Sequence, residues 1–265
     1  GAAYDWEKEI LVTVGVSEAI DVALRTIVNP GDEVLYHEPC FVSYRPSIIL
    51  AGGVPVCVET RREDQFRLTR AMLEKAVTKK TRVLMLNFPC NPTGAVLGQK
   101  DVEDIADFCV RHDLLLLTDE IYAELTYDSK HVSFVSIPGM QERTIFLHGM
   151  SKAWAMTGFR IGYACAPAEI SENMMKLHQY AIMSAPTTGQ KAAAEALERG
   201  DAAVAEMVAE YNRRRNYLIA AFADMGISCH TPAGAFYAFP YVGDLGISAE
   251  DFALRFLEEK SVAVV

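Results

Sequence analysis

The chain has 265 residues, 51% of them hydrophobic, and carries 35 Asp and Glu against 25 Lys and Arg for a formal net charge of −10. That apolar share over that length buries a large core, which excludes a disordered chain. The acidic balance argues against a nucleic-acid partner, because non-specific affinity for a phosphate backbone comes from clustered Lys and Arg.

The N-terminal run "GAAYDWEKE" reads as a loop leading out of something earlier, with no basic-then-apolar pattern of a signal segment. Short β-rich runs then alternate with helical patterns. "EILVTV" is a strand and "SEAIDVALRTIV" a helix; "DEVLYH" is a strand and "VSYRPSIILA" a helix; "VPVCVE" is a strand, "LTRAMLEKAV" a helix and "RVLMLNF" a strand. The helix "QKDVEDIADFCVRHD" and the strands "LLLLTD", "TIFLHG" and "RIGYACA" continue the series. This alternation predicts βα units, hence an α/β fold with a mostly parallel sheet flanked by helices. Punctuation agrees: Asn29-Pro30-Gly31-Asp32 ends one helix, Gly52-Gly53 ends another, and Thr69 is placed to cap a third.

From about Ile170 the pattern turns helical, with a long helix from roughly Ala202 to Met225 and a last helix around Ala249 to Glu259. The long helix reads as a bridge from a large domain, 1–205, into part of a smaller α+β domain, 206–265. The final "VAVV" reads as a strand just begun, and both ends look cut. The basic run Arg213-Arg214-Arg215 falls on the long helix among Ala and Glu, as a solvated face. Six cysteines, Cys40, Cys57, Cys90, Cys109, Cys165 and Cys229, have no CxxC spacing and mostly apolar neighbours; they read as reduced core residues, with neither a disulfide framework nor a metal site. No apolar run reaches the length of a membrane span. A soluble cytoplasmic protein is expected.

Ligands of a parallel α/β sheet gather outside the carboxyl ends of its strands. After the first strand stand Gly15-Val16-Ser17-Glu18, opening a helix whose free amides and positive dipole end suit an anion, although strand-to-helix turns commonly hold Gly and Ser. Asn91-Pro92-Thr93-Gly94 follows another strand and alone is an ordinary turn. "LLLLT" leads to Asp119, Glu120 and Tyr122. A carboxylate ending so apolar a strand is raised in pKa unless a cation or donor holds it ionised, so something is expected to pair with Asp119. Ser151-Lys152 follows "TIFLHG", and the next strand begins near Arg160. One cofactor uses all of these: pyridoxal 5'-phosphate needs a Lys for the Schiff base, an acid to keep the ring nitrogen protonated, and an anion site for its phosphate. His37 and His148 have no partner at metal spacing and read as satisfied core histidines; Asp119 and Glu120, as strand neighbours, point to opposite faces; Met174 and Met175 read as helix packing.

"NPTG", "TDEIY", "SKAWAMTGFRIGY" and "GAFY", in this order and at these separations, resemble the class I/II aminotransferases, fold type I enzymes dependent on pyridoxal phosphate, and most nearly their aspartate/aromatic branch. The resemblance covers essentially the whole chain. It implies transfer of an amino group from an L-amino acid to a 2-oxo acid, and a homodimer. It assigns Lys152 to the Schiff base and the proton shuttle, Asp119 to the pyridinium nitrogen, and Tyr122 and Asn91 to the ring hydroxyl oxygen. It gives the phosphate to Ser17, the Val16 amide, Ser151 and Arg160. Phe41, two residues after Pro39, matches the aromatic that stacks on the ring, and otherwise is a core phenylalanine. The family's N-terminal arm, and an arginine that binds the substrate carboxylate, have no counterpart before Val265. Two rivals stay open: a carbon-sulfur β-lyase on the same scaffold, and the ligand-sensing domain of a transcriptional regulator.

Overall fold

A computed structural model describes residues 2–264. Seven strands form one sheet in the order β1-β7-β6-β5-β4-β2-β3: β1 (Ile10–Val14), β2 (Glu33–Glu38), β3 (Val54–Glu59), β4 (Thr81–Asn87), β5 (Leu115–Asp119), β6 (Thr144–Gly149) and β7 (Ile161–Cys165). All neighbours pair in parallel except β7, which is antiparallel to both β6 and β1.

The central strands are apolar on both sides because both sheet faces are covered. Val83, Met85 and Leu117 pack with α1 (Gly15–Ile27), α2 (Tyr44–Leu50) and α5 (Ala168–Ala181) on one face. Leu84, Leu86 and Leu116, one residue out of phase, pack with α3 (Arg70–Ala76) and α4 (Gln99–Arg111) on the other. The period-2 alternation of a strand thus sorts neighbouring leucines into two separate cores.

Beyond the sheet come α6 (Thr187–Arg199), the 24-residue α7 (Asp201–Asp224) and α8 (Ala249–Lys260). Several details differ from the sequence reading. Cys57 is exposed where a core residue was expected, and Arg215, read as part of a solvated face, is nearly buried and pairs with Asp128. Thr69 stands at the start of α3 with extended dihedrals, but its hydroxyl makes no capping bond. Met174 is buried as expected, whereas Met175 is 43% exposed. Among the described residues the segment after α7 forms isolated bridges, Thr126 with Gly234 and Cys229 with Pro240, and no strand. Residues 262–264 have no regular structure, and the last residue of "VAVV" lies outside the described residues.

Candidate active site

The reversed direction of β7 builds the site. Its first residues lie beside the carboxyl end of β6, with Gly162 opposite Gly149, and beside the end of β1, with Ile161 opposite Val14. Arg160, in the left-handed region at φ 55°, therefore reaches the edge where β4, β5 and β6 end and α1 begins. A cavity of about 240 Å³ opens there. Among its lining residues are all nine sequence candidates: Val16, Ser17, Phe41, Asn91, Asp119, Tyr122, Ser151, Lys152 and Arg160.

Asp119 is buried at the bottom, its carboxyl pushed up from 3.8 to about 6 by burial and held back by two donors. The Tyr44 hydroxyl donates to Oδ2 at 2.7 Å and the Ile121 amide to Oδ1 at 3.1 Å. The expected partner of Asp119 is thus a phenol and an amide. Glu120 points the other way, as strand alternation requires, and accepts from Ser133 Oγ at 3.1 Å while pairing with His131.

Burial lowers the Lys152 ammonium, Asp119 opposes that shift, and Arg160 adds to it. Its Nζ lies 5.8 Å from the ring centre of Tyr122 and 5.6 Å from that of Phe236. Arg160 donates from Nη1 to the Thr157 carbonyl at 2.9 Å. Among the described residues neither Lys152 nor Arg160 belongs to an ion pair, so both charges are free to meet an anion. Gly15, at φ +71°, makes room for the guanidinium: a Cβ there would fall 2.5 Å from Arg160 Nη2.

Six further lining residues, among them Tyr44, Asn87 and Tyr237, were not among the sequence candidates. Tyr44 lay inside a run read simply as a helix. Asn87 donates from Nδ2 to the Asp119 carbonyl at 2.8 Å and accepts the Asn91 amide on Oδ1 at 3.0 Å, locking two strand ends together. Tyr237, in the "GAFY" run, has its hydroxyl 2.7 Å from that of Tyr122. The polar end of a strand was the available signal for Asn87; no local pattern marks Tyr44. The two strand histidines serve structure: His148 Nε2 is 3.0 Å from Glu124 Oε2, while His37 stacks on Phe88 and burial lowers it to about 4. Among the described residues no helix is long and apolar enough to cross a membrane.

The whole chain, residues 1–265, matches the family model described as aminotransferase class I and II. It is 48% identical over 263 residues to the putative aminotransferase YugH of Bacillus subtilis, covering 99% of this chain and 68% of that protein. It is also 48% identical over 264 residues to an aspartate aminotransferase of Pyrococcus abyssi, covering 98% and 68%. The crystal structure of an aromatic aminotransferase from Pyrococcus horikoshii superposes with a TM-score of 0.97 at 47% identity, over 100% of this chain and 72% of that one. A buried carboxyl, an amine and a guanidinium around one cavity, on a chain so similar throughout its length, leave one conclusion: this chain belongs to the class I and II aminotransferases and catalyses amino-acid transamination.

Proposed function

We propose that the cavity holds pyridoxal 5'-phosphate and that the nine lining residues named above divide the work of holding it and moving protons around it. The observation that carries this is one cavity lined both by two cations that form no ion pair among the described residues and by a buried carboxyl raised to about 6. The donor set fits the group: a dianionic phosphate suits Arg160, the Ser17 and Ser151 hydroxyls and the first amides of α1, where the helix dipole is positive. Gly15 leaves that cradle open.

When bound, the cofactor supplies an electron sink conjugated with the substrate α-carbon. Lys152 would hold it covalently through Nζ and, once the substrate amine has displaced that nitrogen, the freed amine, its basicity lowered by burial, would take and return the α-proton. Asp119 keeps a proton on the ring nitrogen; a cation there reverses the desolvation that raises its own pKa. Asn91 and Tyr122 orient the ring hydroxyl oxygen, and Phe41 covers one ring face. Residues 1–205 form the cofactor-binding domain and 206–265 belong to a smaller one, with α7 running through the boundary. The protein acts as a cytoplasmic homodimer on L-amino acids and 2-oxo acids, and the names of its relatives put aspartate and the aromatic amino acids first among donors to try.

Borohydride reduction of the cofactor-loaded protein, followed by peptide mapping, is expected to place the pyridoxyl label on Lys152. A label on any other lysine refutes the assignment.

A further inference from the structure

The run Gly234-Ala235-Phe236-Tyr237 lies past α7, yet backbone bonds stitch it between the two loops that carry Asn91 and Tyr122. The Gly94 carbonyl accepts the amides of both Ala233 and Gly234 at 2.9 Å, and the Ala235 amide donates to the Leu125 carbonyl at 2.8 Å. The Tyr127 amide donates to the Ala233 carbonyl at 3.1 Å. The approach is close enough to demand glycine: a Cβ on Gly94, at φ +70°, would lie 2.2 Å from the Pro232 Cβ, and one on Gly234 would lie 2.6 Å from the Pro89 Cβ. A segment held this firmly delivers the Phe236 ring to Lys152 and the Tyr237 hydroxyl to Tyr122.

A phenol has one hydrogen to give and lone pairs with which to accept. The bond between Tyr122 and Tyr237 runs in either direction, with the Asn91 side chain also close to the Tyr122 hydroxyl. Once Tyr122 donates to an oxygen in the cavity, a single arrangement satisfies both groups: Tyr237 donates to Tyr122, and Tyr122 donates inward. Successive donors polarise one another, so Tyr122 then becomes the stronger donor.

We propose that Tyr237 is a positioning residue for transamination, directing the Tyr122 proton toward the ring hydroxyl oxygen of pyridoxal phosphate. The inference rests on the cofactor reading given above.

The test is a spectrophotometric pH titration of the full chain loaded with pyridoxal phosphate. Tyr237→Phe and Tyr122→Phe each remove one oxygen and keep the ring, so the 5.5 Å edge contact of Tyr122 with Phe236 has no cause to change. Donation to the ring oxygen favours its deprotonated state, so weakening it raises the pH midpoint of the colour change. For Tyr237→Phe the expected rise is about half a pH unit, the scale of one modest hydrogen bond. Tyr122→Phe raises the midpoint further, and adding Tyr237→Phe to it produces no additional shift, because the effect passes through Tyr122. An unmoved midpoint in Tyr237→Phe, or an equal shift in the Tyr122→Phe background as a merely structural role would give, overturns the proposal. Wild-type protein that takes up no pyridoxal phosphate overturns the cofactor reading together with it; normal uptake with an unmoved midpoint in Tyr237→Phe overturns this inference alone.

Discussion

At Asp119 burial and charge conflict. Two neutral donors, from Tyr44 and Ile121, lessen the desolvation of its carboxylate without cancelling it, which is why its carboxyl sits near 6. A group whose folded pKa exceeds its unfolded one contributes stability that is fully present below the unfolded value and is lost as pH rises through the folded value. For Asp119 that window runs from 3.8 to about 6. Ligand-free wild type is therefore expected to lose stability across this window relative to Asp119→Asn, by on the order of 3 kcal/mol for a shift of about two units. Denaturant titrations of both proteins at pH 4 and pH 7 measure it, and a difference between them that does not change with pH refutes the assignment. That Asp119 needed a partner was legible from the apolar strand before it. That the partner is Tyr44 was not, since the two are 75 residues apart and meet only because α2, packed on α1, β2 and β3, carries the Tyr44 hydroxyl to the end of β5.

At the scale of elements, most of the strands and helices could be read from periodicity and from Gly and Pro punctuation, because each buries a face that its own sequence marks. Contacts between elements left no such trace. Gly149 and Gly162 face each other across β6 and β7, and a Cβ on Gly162 would lie 2.6 Å from Gly15 C and Val16 N. The first turn of α1 thus rests directly on the β7 backbone, which is how its amides come level with Arg160. The sequence reading valued Gly15 as part of a helix start and attached no packing role to Gly162. Gly162→Ala must push the main chain of α1 and not a flexible side chain, so a loss of about 1–3 kcal/mol is expected, as for other overpacking changes. Gly158→Ala, where a Cβ meets nothing within 4 Å, serves as the control and should stay within about 0.5 kcal/mol of wild type. Equal unfolding midpoints for the two variants would show that α1 moves aside freely.

At the scale of the whole molecule, the ordered motifs were enough to anticipate one site at one sheet edge, whereas the strand order and the reversal of β7 were not, because neither is written in any local period. The surface raises a further question of assembly. Tyr180 and Met183, at the end of α5, are 87% and 82% exposed, and Val42, next to Phe41 in the cavity wall, is 82% exposed. Scattered apolar residues are ordinary on a surface, but large ones gathered at a helix end and beside a site mark contact surfaces. A net charge of −10 opposes association at low ionic strength, and physiological salt screens that repulsion beyond about 8 Å. Sedimentation in about 0.15 M salt is therefore expected to give twice the chain mass, with dissociation favoured as salt is removed. Replacing Tyr180 and Met183 with Ser and Glu should shift the protein toward monomer while far-UV circular dichroism stays unchanged. A wild type that remains monomeric at every concentration removes the homodimer from the proposed function, and undiminished association of the double variant moves the interface away from the end of α5.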